Sequence, residues 1–382
     1  MANLAKAPEL AGAAVSDPFD GTPYRLRRHL ASGSMGDVFV VEHRQLGSQF
    51  VAKVLNEELL SDPQMVDRIR VEAQALGQLN HPNIVSIVGY GLSCDRRPFF
   101  VTEYLEGATL AELLSPGQPL PVLDALVFAC QILWALAAAH SIGVIHRDIK
   151  PENLFLAERR GNSPQLKVLD FGIARVVPGI SPAAPLPLVL PTDTGVIIGT
   201  PRYLSPEAGS GQHVDHLADI YSAGVVLYEM LTGRCPFDHL ESAGEVIFAH
   251  ISTEPEAPSA YLPAPLDPEL DESVLKALRK EPGQRFQSAR EFAEVLTSLV
   301  DRMIRRGEVG NRPSGLVETH HETKTRTVQS VSTLRLTAAG TTATLADTRP
   351  RRSWKPFLFV LVTLATAGLV LAIGIFGGFG LR

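Results

Sequence analysis

Residues 30–39 of this 382-residue chain read LASGSMGDVF. Closely spaced glycines let a backbone turn tightly enough for its N–H groups to approach phosphate, and Gly33 and Gly36 fill two positions of a G-x-G-x-x-G string. Ala31 stands at the first position. Dinucleotide-binding folds use a similar string between a strand and a helix, whereas β-like runs lie on both sides of this one, so it reads as a hairpin tip. Val38 would then direct an apolar side chain at a nucleotide base. On the next strand, FVAK ends in Lys53, whose ammonium could reach the phosphates. A lysine after an apolar run leaves an unpaired charge in a buried strand unless an acid meets it, and Glu72 in RVEAQAL is the candidate.

The elements that must hold these groups follow from periodicity. YRLRRHL, DVFVVEH and SQFVAKVL read as antiparallel strands, then SDPQMVDRIRVEAQALGQL as a helix with Ser61 or Asp62 as N-cap. IVSIVGYG and RPFFVTEYL add strands. The chain then turns helical: PVLDALVFACQILWALAAAHSIG stops at Gly143, ADIYSAGVVLYEMLTG closes at Gly233, and SAREFAEVLTSLVDRM opens with Ser288 and Glu291 at capping-box spacing. A strand-rich small lobe before a helix-rich large one is an α+β arrangement. Residues 1–22 read as a disordered tail, 23–302 as the folded domain, 303–353 as a flexible linker and 354–381 as a membrane helix. A proline-rich insert at 176–191 interrupts the domain.

Composition excludes other classes. A net charge of -6 speaks against a general nucleic-acid binder. The three cysteines, Cys94, Cys130 and Cys235, have neither disulfide-framework nor metal-ligand spacing. PFLFVLVTLATAGLVLAIGIFGGFGL, from Pro356, carries no charge and exceeds the roughly 20 apolar residues that cross a bilayer. Arg349, Arg351, Arg352 and Lys355 precede it and place the folded domain in the cytoplasm, with the inner membrane as the expected location. Gly368 with Ala372, and Gly374 with Gly378, have small-xxx-small spacing that suits a homodimer. No sensor domain of the chain's own is expected beyond this segment.

HRDIKPENLFL at 146–156, with DFG at 170–172 and SPE at 205–207, resembles the protein kinase family in order and spacing over residues 24 to about 300. HPNIV, GTPRYLSPE and DIYSAGVVLYEMLTGRCPF make the chain most similar to the membrane-attached bacterial Ser/Thr kinases of eukaryotic (Hanks) type. The resemblance implies a two-lobed fold and transfer of the γ-phosphoryl group of ATP to protein substrates, with Mg²⁺ or Mn²⁺. It implies that Asp148 accepts the hydroxyl proton, that Lys150 neutralises charge on the group in transfer, and that Lys53, held by Glu72, binds phosphates. Asn153 and Asp170 would supply oxygens to the metal. Leu30, Ala31, Gly33, Ser34, Met35, Gly36, Val38, Ala52, Lys53, Thr102, Glu103 and Leu105 would line the nucleotide pocket. His146 and Phe171 would pack with Leu76.

Lys150 and Thr200 fit the Ser/Thr-specific pattern. Thr192 and Thr194 fall where related kinases autophosphorylate, and Arg147 could pair with such a phosphate. A scaffold that keeps the fold without catalysis would show loss of Lys53, Asp148, Asn153 or Asp170, and all four are present.

Overall fold

β-Branched and aromatic residues alternate through the first part of the chain, and they form strands. The computed structural model describes residues 17–33, 36–57, 71, 76–159, 162–171 and 201–307. Its first sheet contains β1 (Tyr24–Gly33), β2 (Gly36–His43), β3 (Gln49–Leu55), β4 (Ile87–Leu92) and β5 (Pro98–Glu103). The order is β1-β2-β3-β5-β4, and every neighbouring pair is antiparallel. Gly33 faces Gly36 across the first turn, so the glycine string is a hairpin tip. Gly36 has a φ of 151°, and a Cβ there would sit 2.0 Å from the Val54 carbonyl oxygen. Close approach of two strands therefore demands this glycine. The expected helix spanning Glu72 lies mostly outside the described residues.

The N-terminal boundary differs from expectation. Residues 17–22 are folded, because Phe19 is fully buried and packs edge-on against Phe39 and Phe99. Asp17 secures the segment by accepting from the amides of Phe19 and Leu26 at 2.9 and 3.0 Å, and Pro18 O accepts from Cys94 N. Alanine- and proline-rich flanks hid this aromatic anchor.

The helical part begins with a second sheet, order β6-β7-β8, made of β6 (Gly107–Thr109), β7 (Leu154–Arg159) and β8 (Asn162–Val168). Its strands were not anticipated, since their short apolar runs carry no clear alternation. The helices are α1 (Leu110–Leu113), α2 (Val122–Ser141), α3 (Pro206–Gly209), α4 (His216–Thr232), α5 (Ala243–Ser252), α6 (Pro268–Ala277) and α7 (Ala289–Arg305). Both long apolar runs become central helices: α2 and α4 contribute most of their length to one buried cluster, with α7 packed on α2. Among the described residues, α2 alone is long and apolar enough to cross a membrane, but it is the core of this lobe. Asp215 caps α4 through Leu217 N, and Gly233, at φ 72°, ends it in the left-handed region. Ser288 caps α7 by accepting from Glu291 N at 3.1 Å. α7 runs to Arg305, so the linker cannot begin at 303: Met303 and Ile304 still pack against the core. The expected membrane segment at 354–381 lies outside the described residues.

Replacing Phe19 by Ala removes a buried ring from between two others. Urea unfolding should show a loss of about 3–5 kcal/mol; an unchanged midpoint would mean that the segment is not part of the folded unit.

Candidate active site

Two segments converge between the lobes, residues 146–153 and the stretch after β8 that reaches Asp170. His146 is fully buried, and its Nε2–H donates to Leu169 O at 2.8 Å while Nδ1 accepts from Asp148 N at 3.2 Å. Burial pushes its pKa down, outweighing the nearby carboxylates, so the ring stays neutral and Nδ1 remains an acceptor. Its ring meets Phe171 edge-on at 4.8 Å, and Phe171 shares its buried cluster with Leu76. Of the expected packing group, the contact between His146 and Phe171 is formed, and Leu76 lies in the same core.

Asp148 is held from two sides. Lys150 Nζ lies 3.1 Å from Asp148 Oδ2, and Asn153 Nδ2 donates to Asp148 O at 2.8 Å and to Oδ2 at 3.1 Å. With Nδ2 so used, the Asn153 amide is oriented and keeps Oδ1 as an oxygen donor. Pro151 starts a short 3-10 turn, Pro151–Asn153, which brings Asn153 back toward Asp148. Across the cleft, Lys53 Nζ lies 3.0 Å from Asp170 Oδ2. Desolvation opposes ionisation of Asp170, but the charge and hydrogen bond of Lys53 hold its pKa below the ordinary value. Glu72, Ser34, Met35, Thr192, Thr194 and Thr200 lie outside the described residues, so Lys53 is seen paired with Asp170.

The pocket wall differs from expectation at one position. Side chains alternate along β3, so Val51 and Lys53 share a face and Ala52 points to the other. Ala52 is fully buried beside Phe19, Val41, Val54, Phe99 and Val101, and it cannot line a nucleotide site. Val51 takes that place, opposite Thr102 on β5 and Val40 on β2. Val38 pairs with Lys53 and Ala31 with Val38, which puts both on the same face. Ala31 is buried and pairs with Val38 just after an irregularity between His29 and Ala31, and the pairing continues to Gly33 and Gly36, so the missing glycine does not break the hairpin. Leu30 precedes it on β1, and Leu105 packs against Val85, Phe155, Ala157 and Leu169. The Glu103 carboxylate turns to Lys167 at 2.8 Å and Ser86 N at 2.8 Å. Both contacts fall on Oε1.

Sequence reasoning missed the residue that holds this loop. Asp219, from α4 and 1% exposed, accepts from His146 N, Arg147 N and His140 Nε2, each at 2.8 Å. Arg147 needs that support because its φ of 62° is unusual for a side chain of its size. An acid inside the apolar run ADIYSAGVVLYEM was the available signal. Arg285 was also missed. It is fully buried and forms a two-pronged pair with Glu207 at 2.9 and 2.7 Å, with further bonds to the carbonyls of Leu217, Lys280 and Arg279. No metal-binding group of three or more His, Cys, Asp or Glu occurs among the described residues. The donor set of Asp170 and Asn153 Oδ1, one carboxylate and one amide oxygen, nonetheless suits a hard cation.

Desolvation works against the Asp219 carboxylate, yet His140, His146 and the backbone amides bring its pKa below the ordinary value. A lowered native pKa gives stability that is complete above the unfolded value of about 3.9 and is lost as pH falls through the native one. Urea unfolding of the chain and of Asp219→Asn should differ by a constant amount at neutral pH, and the gap should close only in strong acid. A gap that does not change with pH would contradict this.

The protein kinase domain family profile matches residues 24–300. Serine/threonine-protein kinase Pkn1 of Myxococcus xanthus is 38% identical over 303 residues, covering 78% of this chain and 42% of the relative. Serine/threonine-protein kinase PknB of Mycobacterium leprae is 37% identical, covering 70% of this chain and 42% of the relative. The chain thus spans about half, or less, of the length of the curated relatives it matches. The crystal structure of the Mycobacterium tuberculosis PknI kinase domain superposes with a TM-score of 0.53 at 25% identity, covering 72% of this chain and 96% of that one.

Proposed function

The chain belongs to the protein kinase domain family, and from that premise we propose that it is a serine/threonine protein kinase, transferring the γ-phosphoryl group of ATP to hydroxyls of protein substrates and to its own chain. The observation that carries this is the Asp148 carboxylate held by Lys150 and Asn153, with the segment of Asp170 bonded to the same loop and Asp170 paired with Lys53 of the strand-rich lobe.

Phosphoryl transfer asks for an acceptor held in line and for neutralised charge. Asp148 accepts the acceptor's hydroxyl proton and orients its oxygen. Lys150, 3.1 Å from that carboxylate, lies where negative charge builds on the group in transfer. Lys53 binds the phosphates, a role that exchanges its contact with Asp170 for one with the nucleotide, and Glu72 holds it. Asp170 and Asn153 would hold Mg²⁺ or Mn²⁺, which when bound neutralises the phosphate oxygens. The base lies on the face of Val38, Val51 and Thr102. Thr192 and Thr194 are the proposed autophosphorylation sites, with Arg147 as phosphate partner. Residues 354–381 anchor the domain to the inner face of a cell membrane; the uncharged run from Pro356 to Leu381 and the arginines before it support this reading. The small-residue spacing in that segment supports a homodimer.

ATP, Mg²⁺ and a generic basic protein test the activity. Asp148→Asn should lower transfer by about a thousandfold while nucleotide affinity is retained, and phosphoamino-acid analysis should find phosphoserine and phosphothreonine. No transfer by the unsubstituted chain beside an active control kinase would favour a binding scaffold; mainly phosphotyrosine would overturn the acceptor class.

Val51 gives a further check. Val51→Ala shortens the wall above the base and should admit bulkier ATP-site ligands. A binding profile unchanged across a ligand series of graded size would remove Val51 from the pocket.

A further inference from the structure

β8 passes through Lys167 and, three residues later, the chain reaches Asp170; β5 ends at Glu103, two residues before Leu105. One of these segments borders the base end of the cleft and the other its phosphate end. Lys167 Nζ joins them, 2.8 Å from Glu103 Oε1 and 3.3 Å from Ile84 O. The same Glu103 oxygen accepts from Ser86 N at 2.8 Å, and Glu103 N donates to Ser86 O at 3.0 Å.

The loop between them is stitched on its other side as well. Val85 N donates to Val168 O at 3.0 Å and Val168 N to Asn83 O at 2.8 Å. Asn83 Nδ2 donates to Leu166 O at 2.8 Å and to Gln131 Oε1 at 2.9 Å, which ties the loop to α2. Residues 83–86 therefore move with β8, and the ion pair carries the end of β5 with them.

The pair is shielded, with side chains 13% and 30% exposed, so water screens it less than a surface pair. Burial works against the Glu103 carboxylate, and the hydrogen bonds from Lys167 and Ser86 overcome it, leaving its pKa below the ordinary value. His81, pushed down to about 4 by burial and by the charge of Lys167, stays neutral at neutral pH and does not compete for the carboxylate.

We propose that Lys167 is a positioning residue for the nucleotide: its ion pair with Glu103 fixes the separation between the base end of the pocket at 103–105 and the phosphate end at Asp170. The inference rests on the kinase reading. A nucleotide engages both ends at once, so a loosened strut costs nucleotide affinity and leaves the chemistry at Asp148 intact.

Calorimetric titration of the full chain with Mg·ATP, together with steady-state kinetics, tests it in Lys167→Met, Lys167→Arg and Glu103→Gln. Lys167→Met should raise the Kd for Mg·ATP and the KM for ATP by roughly five- to tenfold, in line with a hydrogen bond to a charged group. The KM for the protein acceptor and kcat at saturating ATP should hold, and Lys167→Arg should recover most of the affinity. Glu103→Gln should weaken binding similarly, and the double variant Lys167→Met with Glu103→Gln should be no weaker than either alone, because each removes the same contact. Mg·ATP affinity unchanged in both single variants would overturn the strut, as would a fall in kcat at constant affinity. Absence of Mg·ATP binding by the unsubstituted chain would instead overturn the kinase reading beneath it.

Discussion

Asp219 accepts three hydrogen bonds inside α4, from the amides of His146 and Arg147 and from His140 Nε2, and the position of Asp148 depends on them. A loop that turns through a left-handed Arg147 is strained. The cost is met by a buried carboxylate on the most buried helix of the large lobe, which cannot shift without disturbing the core. His146 completes the arrangement from below, since its neutral ring donates to Leu169 and accepts from Asp148 N. One helix thus fixes the loop backbone, and the loop fixes its side chains.

The same economy governs the rest of the site. Asn153 braces Asp148 through one atom of its amide and keeps the other for a ligand, while Lys150 reaches the same carboxylate oxygen. Glu207 and Arg285 form a fully buried pair with the remaining guanidinium N–H groups on backbone carbonyls, so the charges are satisfied rather than merely neutralised. That pair joins α3 to the segment before α7. Tyr203 adds a bond to Glu229 on α4 at 2.7 Å, and Ser222 on α4 donates to Tyr203 O at 2.7 Å. The segment 201–207 is therefore anchored to the helix that also holds the loop of Asp148.

Much of this was legible in the sequence where one residue type does one job. The glycine hairpin, the strands around it and the two long apolar helices follow from alternation and capping, and HRDIKPEN with DFG pointed to the residues now proposed for the site. The readings that failed concern which way a side chain points. Ala52 and Val51 are neighbours, and a one-residue difference on a strand exchanges the pocket for the core. Phe19 was overlooked because a single aromatic has no period. Asp219 and Arg285 were missed for a related reason: Asp219 reaches Arg147 and Arg285 reaches Glu207, 72 and 78 residues away on the chain, and although an acid in an apolar run is a signal, no local pattern names its partner.

The central claim is that Asp219 holds the backbone of residues 146 and 147 and so places Asp148. Hydrogen–deuterium exchange at the His146 and Arg147 amides, compared between the chain and Asp219→Ala, measures this directly. The account predicts core-like protection of both amides in the unsubstituted chain and loss of that protection in the variant, with the amides of α2 and α7 still protected. Rapid exchange at these two amides in the unsubstituted chain, or protection that survives removal of the carboxylate, would contradict it.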